Sequence, residues 1–326
     1  MYSFSAMPVE LSLVIPVFNE EENLAELGAQ IRAALAGIDY EAVFIDDGSV
    51  DASFAEIRRL VAMEPRFKAV GLGANFGQTA AMVAGIAHAR GRLIAFLDSD
   101  LQNDPADIPR MLEKIKEGYD AVSGWRRTRR DSLLDRRLPS MLANALISAV
   151  TGVRLHDYGC TLKVYRSQYL KGLRLYGEMH RFVPAYAGFL GARIAEVEVH
   201  HRPRTRGKSK YGLTRIFKVL LDLLTVKFMD SYLSKPIYLF GGGGLLMGVL
   251  GAAAAGWTLY KKFHLGIFVK DQPLFLVSIF SALVGVQLLL MGLMAEILIR
   301  IYYDTGRRTS YFVRERLNIP EPEERA

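Results

Sequence analysis

The sequence predicts an α/β protein: a mainly parallel sheet covered on both faces, followed by helices lying in a membrane interface and a two-helix transmembrane hairpin. Three observations predict it. Through the first 200 residues, apolar runs of strand length alternate with segments of helical period. From residue 236 the composition changes to two long runs without a charge. Each of the first four strands is followed by a cluster of polar residues, and the C-terminal edge of an open α/β sheet is where such proteins bind ligands.

Leu11 to Phe18 is an apolar run and reads as the first strand. Asn19 with Glu22 three residues later has the form of a capping box. It opens a helix whose apolar residues Leu24, Leu27, Ile31 and Leu35 share one face. Glu41 to Ile45 is the second strand, and Asp51 is placed to cap the helix that follows. Phe67 to Leu72 is the third strand. The small-residue helix after it, Gly77 to Arg90, can lie close on a sheet. Arg92 to Leu97 is the fourth strand. Ile108, Met111, Leu112 and Ile115 mark a helix that stops at Gly118, and Tyr119 to Ser123 is a further strand. Ala195 to Val199 alternates apolar and charged residues, as a late strand with one exposed face does. Strands alternating with helices imply a mainly parallel, doubly covered sheet.

Pro236 to Tyr260 is 25 residues without a charge, and Leu274 to Ala295 is another 22. Each exceeds the roughly 20 residues that a helix needs to cross a bilayer. The 13 residues between them are too few for a domain, so the two runs form a membrane hairpin with both ends on one side. Basic residues crowd the flanks, from Arg215, Lys218, Lys227 and Lys235 to Arg300, Arg307, Arg308, Arg314 and Arg316. The connecting loop holds only Lys261, Lys262 and Lys270. Positive charge marks the cytoplasmic side, so the chain is expected in the cell (inner) membrane with its catalytic domain and both termini in the cytoplasm. Gly244, Gly248, Ala252 and Gly256 recur every four residues. Such a stripe allows close helix contact, with the second span or with another copy of the chain. The expected organisation is therefore a catalytic domain over 1–210, an amphipathic interfacial region over 211–235, two spans at about 236–260 and 274–301 within 236–301, and a cytoplasmic tail over 302–326.

The net charge is +7, which suits anionic lipid, phosphorylated ligands or nucleic acid. Arg126 to Arg137 contains six Arg against two Asp, and residues 200–235 contain nine Lys or Arg against two Asp. Because these runs adjoin the membrane spans, lipid and phosphate are the expected partners and nucleic acid is not. Leu138 to Val150 and Leu213 to Phe228 mix apolar faces with basic flanks, as helices lying in the membrane interface do. A single cysteine, Cys160, leaves no internal disulfide framework and fits a reducing compartment. Met1 to Glu10 lacks the basic segment and apolar core of a secretory signal.

The chemistry gathers at strand ends. The clusters are Pro16, Asn19, Glu20 and Glu21 after the first strand; Asp46, Asp47, Gly48, Ser49 and Asp51 after the second; Asn75 and Gly77 after the third; Asp98, Asp100 and Gln102 after the fourth. Any one of these is also an ordinary turn or cap. Four on one sheet edge favour a pocket for a nucleotide and a metal. Asp98 and Asp100, one residue apart with Gln102 beside them, are oxygen donors of the kind that hold Mg²⁺ or Mn²⁺ together with substrate phosphates. Gly71-Leu-Gly-Ala-Asn-Phe-Gly77 has the wrong spacing and position for a dinucleotide fingerprint.

Val14-Ile-Pro-Val-Phe-Asn-Glu20, Asp46-Asp-Gly-Ser49, Asn75-Phe-Gly77 and Asp98-Ser-Asp-Leu-Gln102, in that order, resemble the motifs of the GT-A fold in glycosyltransferase family 2. The likeness is to its polyprenyl-phosphate glycosyltransferases: dolichol-phosphate mannosyltransferases and bacterial undecaprenyl-phosphate glucosyl- and 4-deoxy-4-formamido-arabinosyltransferases. It continues through His156-Asp-Tyr-Gly-Cys160, the Arg206-Gly-Lys-Ser-Lys210 loop and the hairpin. The resemblance implies a nucleotide-sugar donor, a divalent metal, a polyprenyl-phosphate acceptor and inversion at the anomeric carbon. By motif, Pro16, Glu20 and Asp47 contact the nucleoside, with Asn19, Ser49 and Asn75 beside them. Asp98 holds the donor side and, with Asp100 and Gln102, is a candidate metal ligand. Asp157 sits at the sugar and acceptor, as a base or as a group that orients the sugar. Ser99, where Ala is frequent, is a departure on the side away from the chemistry. Likeness of the His156–Cys160 stretch to bacterial members favours a UDP-sugar and undecaprenyl phosphate over GDP-mannose.

The cations fit this reading. An acceptor phosphate is already ionised, so the enzyme must hold two anionic groups together and support a leaving diphosphate. Arg126 and the loop residues Arg204, Arg206, Lys208, Ser209 and Lys210 are the candidates for the acceptor phosphate. A processive polysaccharide synthase would carry Gln-x-x-Arg-Trp, whereas the two tryptophans here, Trp125 and Trp257, each follow glycine. A catalytically inactive membrane scaffold is the other alternative; the joint presence of Asp98, Asp100, Gln102 and Asp157 speaks for an enzyme.

Overall fold

A computed structural model of the chain describes residues 9–127, 138–173, 175, 179–202, 236–304 and 311–319. The described elements, in chain order, begin with β1 (Leu11–Val17), α1 (Glu21–Ala34), β2 (Tyr40–Asp46), α2 (Ser53–Met63), β3 (Phe67–Leu72), α3 (Gln78–His88) and β4 (Leu93–Phe96). There follow α4 (Ile108–Lys116), β5 (Ala121–Trp125), α5 (Leu138–Thr151), β6 (Lys163–Arg166), α6 (Val183–Phe189) and β7 (Ile194–Glu198). Two long helices, α7 (Pro236–Leu265) and α8 (Pro273–Asp304), precede β8 (Val313–Leu317). They divide into two compact units: the sheet domain, which includes β8, and the helical hairpin.

The sheet has eight strands in the order β7-β5-β6-β4-β1-β2-β3-β8. Pairing is parallel for β1 with β2 and β4, for β2 with β3 and for β5 with β7. It is antiparallel where β6 joins β4 and β5, and where β8 joins β3. Six strands therefore point one way, and the turns after β1, β2, β3 and β4 open on one edge. β1, β2 and β3 are buried throughout, as largely apolar strands covered on both faces must be. Leu24, Leu27 and Ile31 of α1 and Ile57 and Leu60 of α2 close one face of the core. On α3 the small residues permit the expected close approach: a Cβ on Gly85 would come within 2.2 Å of Val14 Cγ1.

Two strands escaped the sequence reading. β6 is only four residues long and carries Lys163. β8 lies in the segment expected to be a tail, with the charged sequence Val-Arg-Glu-Arg-Leu. β8 is held by pairing with β3 and by partners distant in sequence. Arg58 pairs with Glu315, Arg314 lies 5.2 Å from the Phe54 ring centre, and Asn318 donates to the carbonyl of Phe67 at 3.2 Å.

At the opposite end of β1–β3 from those turns, Glu41 forms a buried polar knot. It accepts from Ser12 Oγ (2.6 Å), from the N–H of Arg90 (2.6 Å) and from Lys68 Nζ. A buried carboxylate needs this many donors to offset its lost hydration.

In the hairpin, Tyr238–Leu265 and Pro273–Leu298 are long and apolar enough to cross a membrane. The two helices pack on each other through Gly244, Gly251 and Thr258, all buried, whereas Ala252 and Gly256 are exposed. The first two members of the stripe, Gly244 and Gly248, lie at the contact: a Cβ on Gly285 would come within 3.2 Å of Gly248 N. A helix pair that keeps its seam over several turns follows a period near 3.5, so a strict four-residue stripe has drifted off it by Ala252 and Gly256. Gly244 and Gly285 meet backbone to backbone: a Cβ on Gly244 would lie 2.8 Å from Gly285 O. Near the connection, Trp257 stacks on Tyr260 at 5.6 Å and Lys261 lies 5.8 Å from the Trp257 ring centre, amphipathic groups of the kind found at headgroup depth.

Candidate active site

The turns on the binding edge lock one another through side chains. Asn19, expected to cap α1, has φ +55° and its Oδ1 accepts the N–H of Val50 at 2.9 Å. The N–H groups that lead into α1 are met from the turn after β2 and the head of α2: Asn19 N–H donates to Ser49 Oγ (3.0 Å), Glu20 N–H to Ser53 Oγ (2.8 Å) and Glu21 N–H, the first of the helix, to Asp51 Oδ2 (3.4 Å). The expected capping box does not form: Asn19 lies one residue before the N-cap, Glu20, whose backbone carbonyl accepts the N–H of Asn23 at 3.0 Å. Asp51, as expected, receives the N–H of Ser53 at the head of α2 (3.0 Å). Glu20 Oε2 accepts from Asn23 Nδ2 at 2.6 Å.

Asp47 ties the β2 turn to the β3 turn. Its Oδ1 accepts the N–H of Phe76 (2.8 Å) and its Oδ2 that of Gly77 (2.9 Å). Burial pushes its carboxyl above the usual range, and these two bonds work against the shift. Gly48, at φ +69°, lets the two turns touch; a Cβ there would come within 2.4 Å of the Ala74 backbone. Asp46 is fully buried, accepts the N–H of Ser49 at 3.3 Å and lies 3.8 Å from Arg314; burial raises its carboxyl too. Pro16 offers its carbonyl to Ser99 Oγ at 3.0 Å, so Ser99 points back into the fold. Asn75 is exposed on the rim.

Asp98, two residues past the end of β4, is half-buried and receives Gln78 Nε2 at 2.9 Å. Burial, with the charge of Asp100 second, pushes its carboxyl up to about 6; the Thr161 hydroxyl, Arg126 and Lys163 act in the opposite sense. Asp100 accepts the N–H of Gln102 at 3.2 Å across Leu101, a non-glycine residue at φ +60° that the tight turn demands. Among the described residues no group of three His, Cys, Asp or Glu side chains gathers. A carboxyl at Asp98 that the neighbouring charge of Asp100 helps to raise fits a divalent cation, which relieves that repulsion. Asp98, Asp100 and the Gln102 amide would form a partial, oxygen-only set, completed by ligands from a diphosphate or water.

Asp157 is buried and meets Arg126 through two parallel bonds, Nε to Oδ2 at 2.7 Å and Nη2 to Oδ1 at 3.0 Å. Burial disfavours the Arg126 cation, but the hydrogen bonds and charge of Asp157 outweigh it and hold the guanidinium above its ordinary value. Arg126, expected at the acceptor phosphate, is thus first a partner of Asp157. Two charged neighbours escaped the sequence reading. Lys163, buried, donates to the carbonyl of Tyr158 (3.0 Å), and desolvation lowers its ammonium to about 8. Glu196, read as part of an exposed strand face, accepts the N–H of His156 at 2.8 Å. A lone lysine inside an otherwise apolar run was the one signal available for Lys163; nothing local marked Glu196. Arg204, Arg206, Lys208, Ser209 and Lys210, like 128–137 and 211–235, lie outside the described residues.

A model of the family described as "Glycosyl transferase family 2" matches residues 12–174, and a dodecaprenyl-phosphate galacturonate synthase from Rhizobium johnstonii is 44% identical over 313 residues, covering 94% of this chain and 93% of its own. The chain belongs to glycosyltransferase family 2. This glycosyltransferase is also 40% identical over 309 residues to an undecaprenyl-phosphate 4-deoxy-4-formamido-L-arabinose transferase from Shewanella sediminis, with 94% and 92% of the two chains covered. Among solved structures, glucosyl-3-phosphoglycerate synthase from Mycobacterium tuberculosis, crystallised with Mn²⁺, UDP and its product, shares the fold. Its TM-score is 0.53 at 19% identity, over 67% of this chain and 80% of that one. The mixed sheet is therefore a GT-A fold, as the motifs implied.

Proposed function

We propose that this glycosyltransferase moves a single sugar from a nucleotide-sugar donor, a UDP-sugar rather than GDP-mannose, onto a polyprenyl phosphate. Undecaprenyl phosphate is the expected acceptor, and the reaction takes place at the cytoplasmic face of the membrane with inversion at the anomeric carbon. The observation that carries the reading is the full-length match, hairpin included, to enzymes named for polyprenyl-phosphate sugar transfer. The geometry supports it: an acidic pair, Asp98 and Asp100, stands at the same sheet edge as the Asp157–Arg126 pair.

In this reading Pro16, Asn19, Glu20, Asp47, Ser49 and Asn75 form the nucleoside wall. Asp98, Asp100 and Gln102 hold Mg²⁺ or Mn²⁺, which when bound supplies positive charge to the donor diphosphate. An acceptor phosphate oxygen forms the new bond to the anomeric carbon as the bond from that carbon to the diphosphate breaks. The electron pair leaves with the nucleoside diphosphate. No proton has to be removed from an ionised phosphate, and both oxygens of Asp157 are engaged by Arg126. Asp157 therefore acts by orienting the sugar and acceptor, not as a base. Arg126, with Arg204, Arg206, Lys208, Ser209 and Lys210, draws the lipid phosphate from the bilayer.

The test is direct. Purified protein is supplied with undecaprenyl phosphate, a panel of nucleotide sugars and Mg²⁺ or Mn²⁺, and the lipid products are analysed by mass spectrometry. One glycosylated lipid phosphate per acceptor is expected. Polymer on the lipid, or sugar transfer only to water or to a soluble acceptor, would count against the reading.

A further inference from the structure

Two charged side chains with no place in the reaction itself grip the turn that carries Asp157. Sheet register puts Glu196 of β7 and Lys163 of β6 on either side of Ser123 of β5, in one row. Neighbours in such a row project from the same face. Glu196 Oε1 accepts the N–H of His156 at 2.8 Å and that of Asp157 at 3.3 Å, while its Oε2 lies 2.7 Å from His156 Nδ1. From the other side, Lys163 Nζ donates to the carbonyls of Tyr158 and Cys160. An anion meets the N–H end of the turn and a cation meets its C=O end. The His156 ring, stacked on Trp125 at 4.5 Å, pins the first residue from a third direction. The Glu196 side chain is only 13% exposed although it lies on the strand face that alternation marks as outward.

We propose that Glu196 and Lys163 are positioning residues for Asp157. They fix the backbone at residues 156–160 so that its carboxylate meets Arg126 and the reacting sugar in one orientation. The proposal rests on the reading of Asp157 as the group beside the sugar. Its physical content is the polarity of the grip. A glutamine at 196 keeps the size but offers one acceptor oxygen in place of two, and turns an NH₂ toward backbone N–H donors. The charge-assisted bonds at that end of the turn are lost. Partners that orient a functional group from behind are worth about 10–100-fold in activity, and a shift of about 1 Å in a reacting group costs about 100-fold.

The test is a double-mutant cycle on the full-length enzyme: wild type, Glu196→Gln, Asp157→Asn and the pair. Turnover is measured with undecaprenyl phosphate and the active donor, and nucleotide affinity by calorimetry with Mn²⁺. Glu196→Gln is expected to lower kcat about 10–100-fold and to leave nucleotide affinity within about twofold. In the Asp157→Asn background the same change should cost less than about threefold, because the group it positions has already been neutralised. A merely structural role predicts a parallel loss of nucleotide binding, with the two effects multiplying; either result overturns the proposal. Should Glu196→Gln fail to fold, His156→Phe keeps the ring on Trp125 and removes only the Nδ1 contact. It must lower kcat several-fold with nucleotide affinity unchanged, and an unchanged kcat overturns the proposal. Wild-type turnover in Asp157→Asn would instead remove the underlying reading of Asp157. Wild-type turnover in Glu196→Gln beside an impaired Asp157→Asn would remove only the positioning role.

Discussion

Protons and a divalent cation should compete for Asp98, on terms set by its burial and then by Asp100. Burial and the neighbouring charge of Asp100 push the Asp98 carboxyl up to about 6. With that value about nine-tenths of the group is ionised at pH 7 and about one-tenth at pH 5, whereas an ordinary aspartate near 3.9 stays ionised throughout. Apparent Mn²⁺ affinity should therefore fall about tenfold between pH 7 and pH 5 from this one group. The sign for stability follows from the same shift. The folded value lies above the unfolded one, so the metal-free folded form keeps a proton that the unfolded chain releases. Its stability is fullest below about pH 4 and declines as pH rises through about 6. The loss is on the order of 1–2 kcal/mol once the solvent around a half-buried carboxyl is allowed for. Mn²⁺ should restore that loss at neutral pH. The assay is Mn²⁺ binding by electron paramagnetic resonance, from pH 5 to 8, in the presence of a UDP-sugar whose esterified diphosphate stays ionised. Asp100→Asn removes the like charge, so binding should weaken at pH 7 while its acid dependence shrinks. Turnover in the same variant should fall by about 100-fold or more, since the leaving diphosphate loses electrostatic support. Mn²⁺ affinity independent of pH in the wild type, or an acid dependence unchanged in Asp100→Asn, would refute the coupling of these two carboxylates at a metal.

Three further outcomes are expected. Lys68→Met leaves the buried Glu41 carboxylate without its cation and should cost about 3–5 kcal/mol of stability, read as a lower thermal midpoint in detergent; an unchanged midpoint would mean that Ser12 and the Arg90 N–H suffice. A thiol introduced as His264→Cys should be labelled from outside the cell by an impermeant reagent and one introduced as Pro320→Cys should not, with the buried native Cys160 silent in both; the reverse pattern contradicts a cytoplasmic catalytic domain. Neutralising Arg206 and Lys210 together should raise the KM for lipid phosphate several-fold and leave nucleotide affinity unchanged, and equal loss of both would remove their assignment to the acceptor.

Much of the fold was legible because its signals are local. Strands β1 to β4 are largely apolar runs, and α1 and α4 keep their apolar residues on one face. The hairpin follows from length and missing charge alone. The strands that went unread, β6 and β8, are short or highly charged, and what stabilises them is pairing with residues tens to hundreds of positions away. At the site, the acidic cluster after β4 could be named from its spacing at a strand end. The partner of Asp157 could not: Arg126 lies 31 residues away, and the two meet because neighbouring strands of the sheet carry their loops together.

By itself the sequence determined most of the strands and helices, two helices long and apolar enough to cross a membrane, and the order in which polar clusters leave the sheet. These follow from side-chain period, run length and turn chemistry, all of which act within a few residues. Only the tertiary structure decided who holds whom. It placed the Ser49 and Ser53 oxygens on the N–H groups of Asn19 and Glu20 just before α1, Asp47 on the turn after β3, and Glu196 and Lys163 around the turn of Asp157. It also turned the hairpin's contact from Gly248 to Gly251, off the four-residue stripe. A buried polar group takes whichever donor or acceptor the packed chain brings within about 3 Å, and that choice is made by register and crossing angle, which no local segment carries.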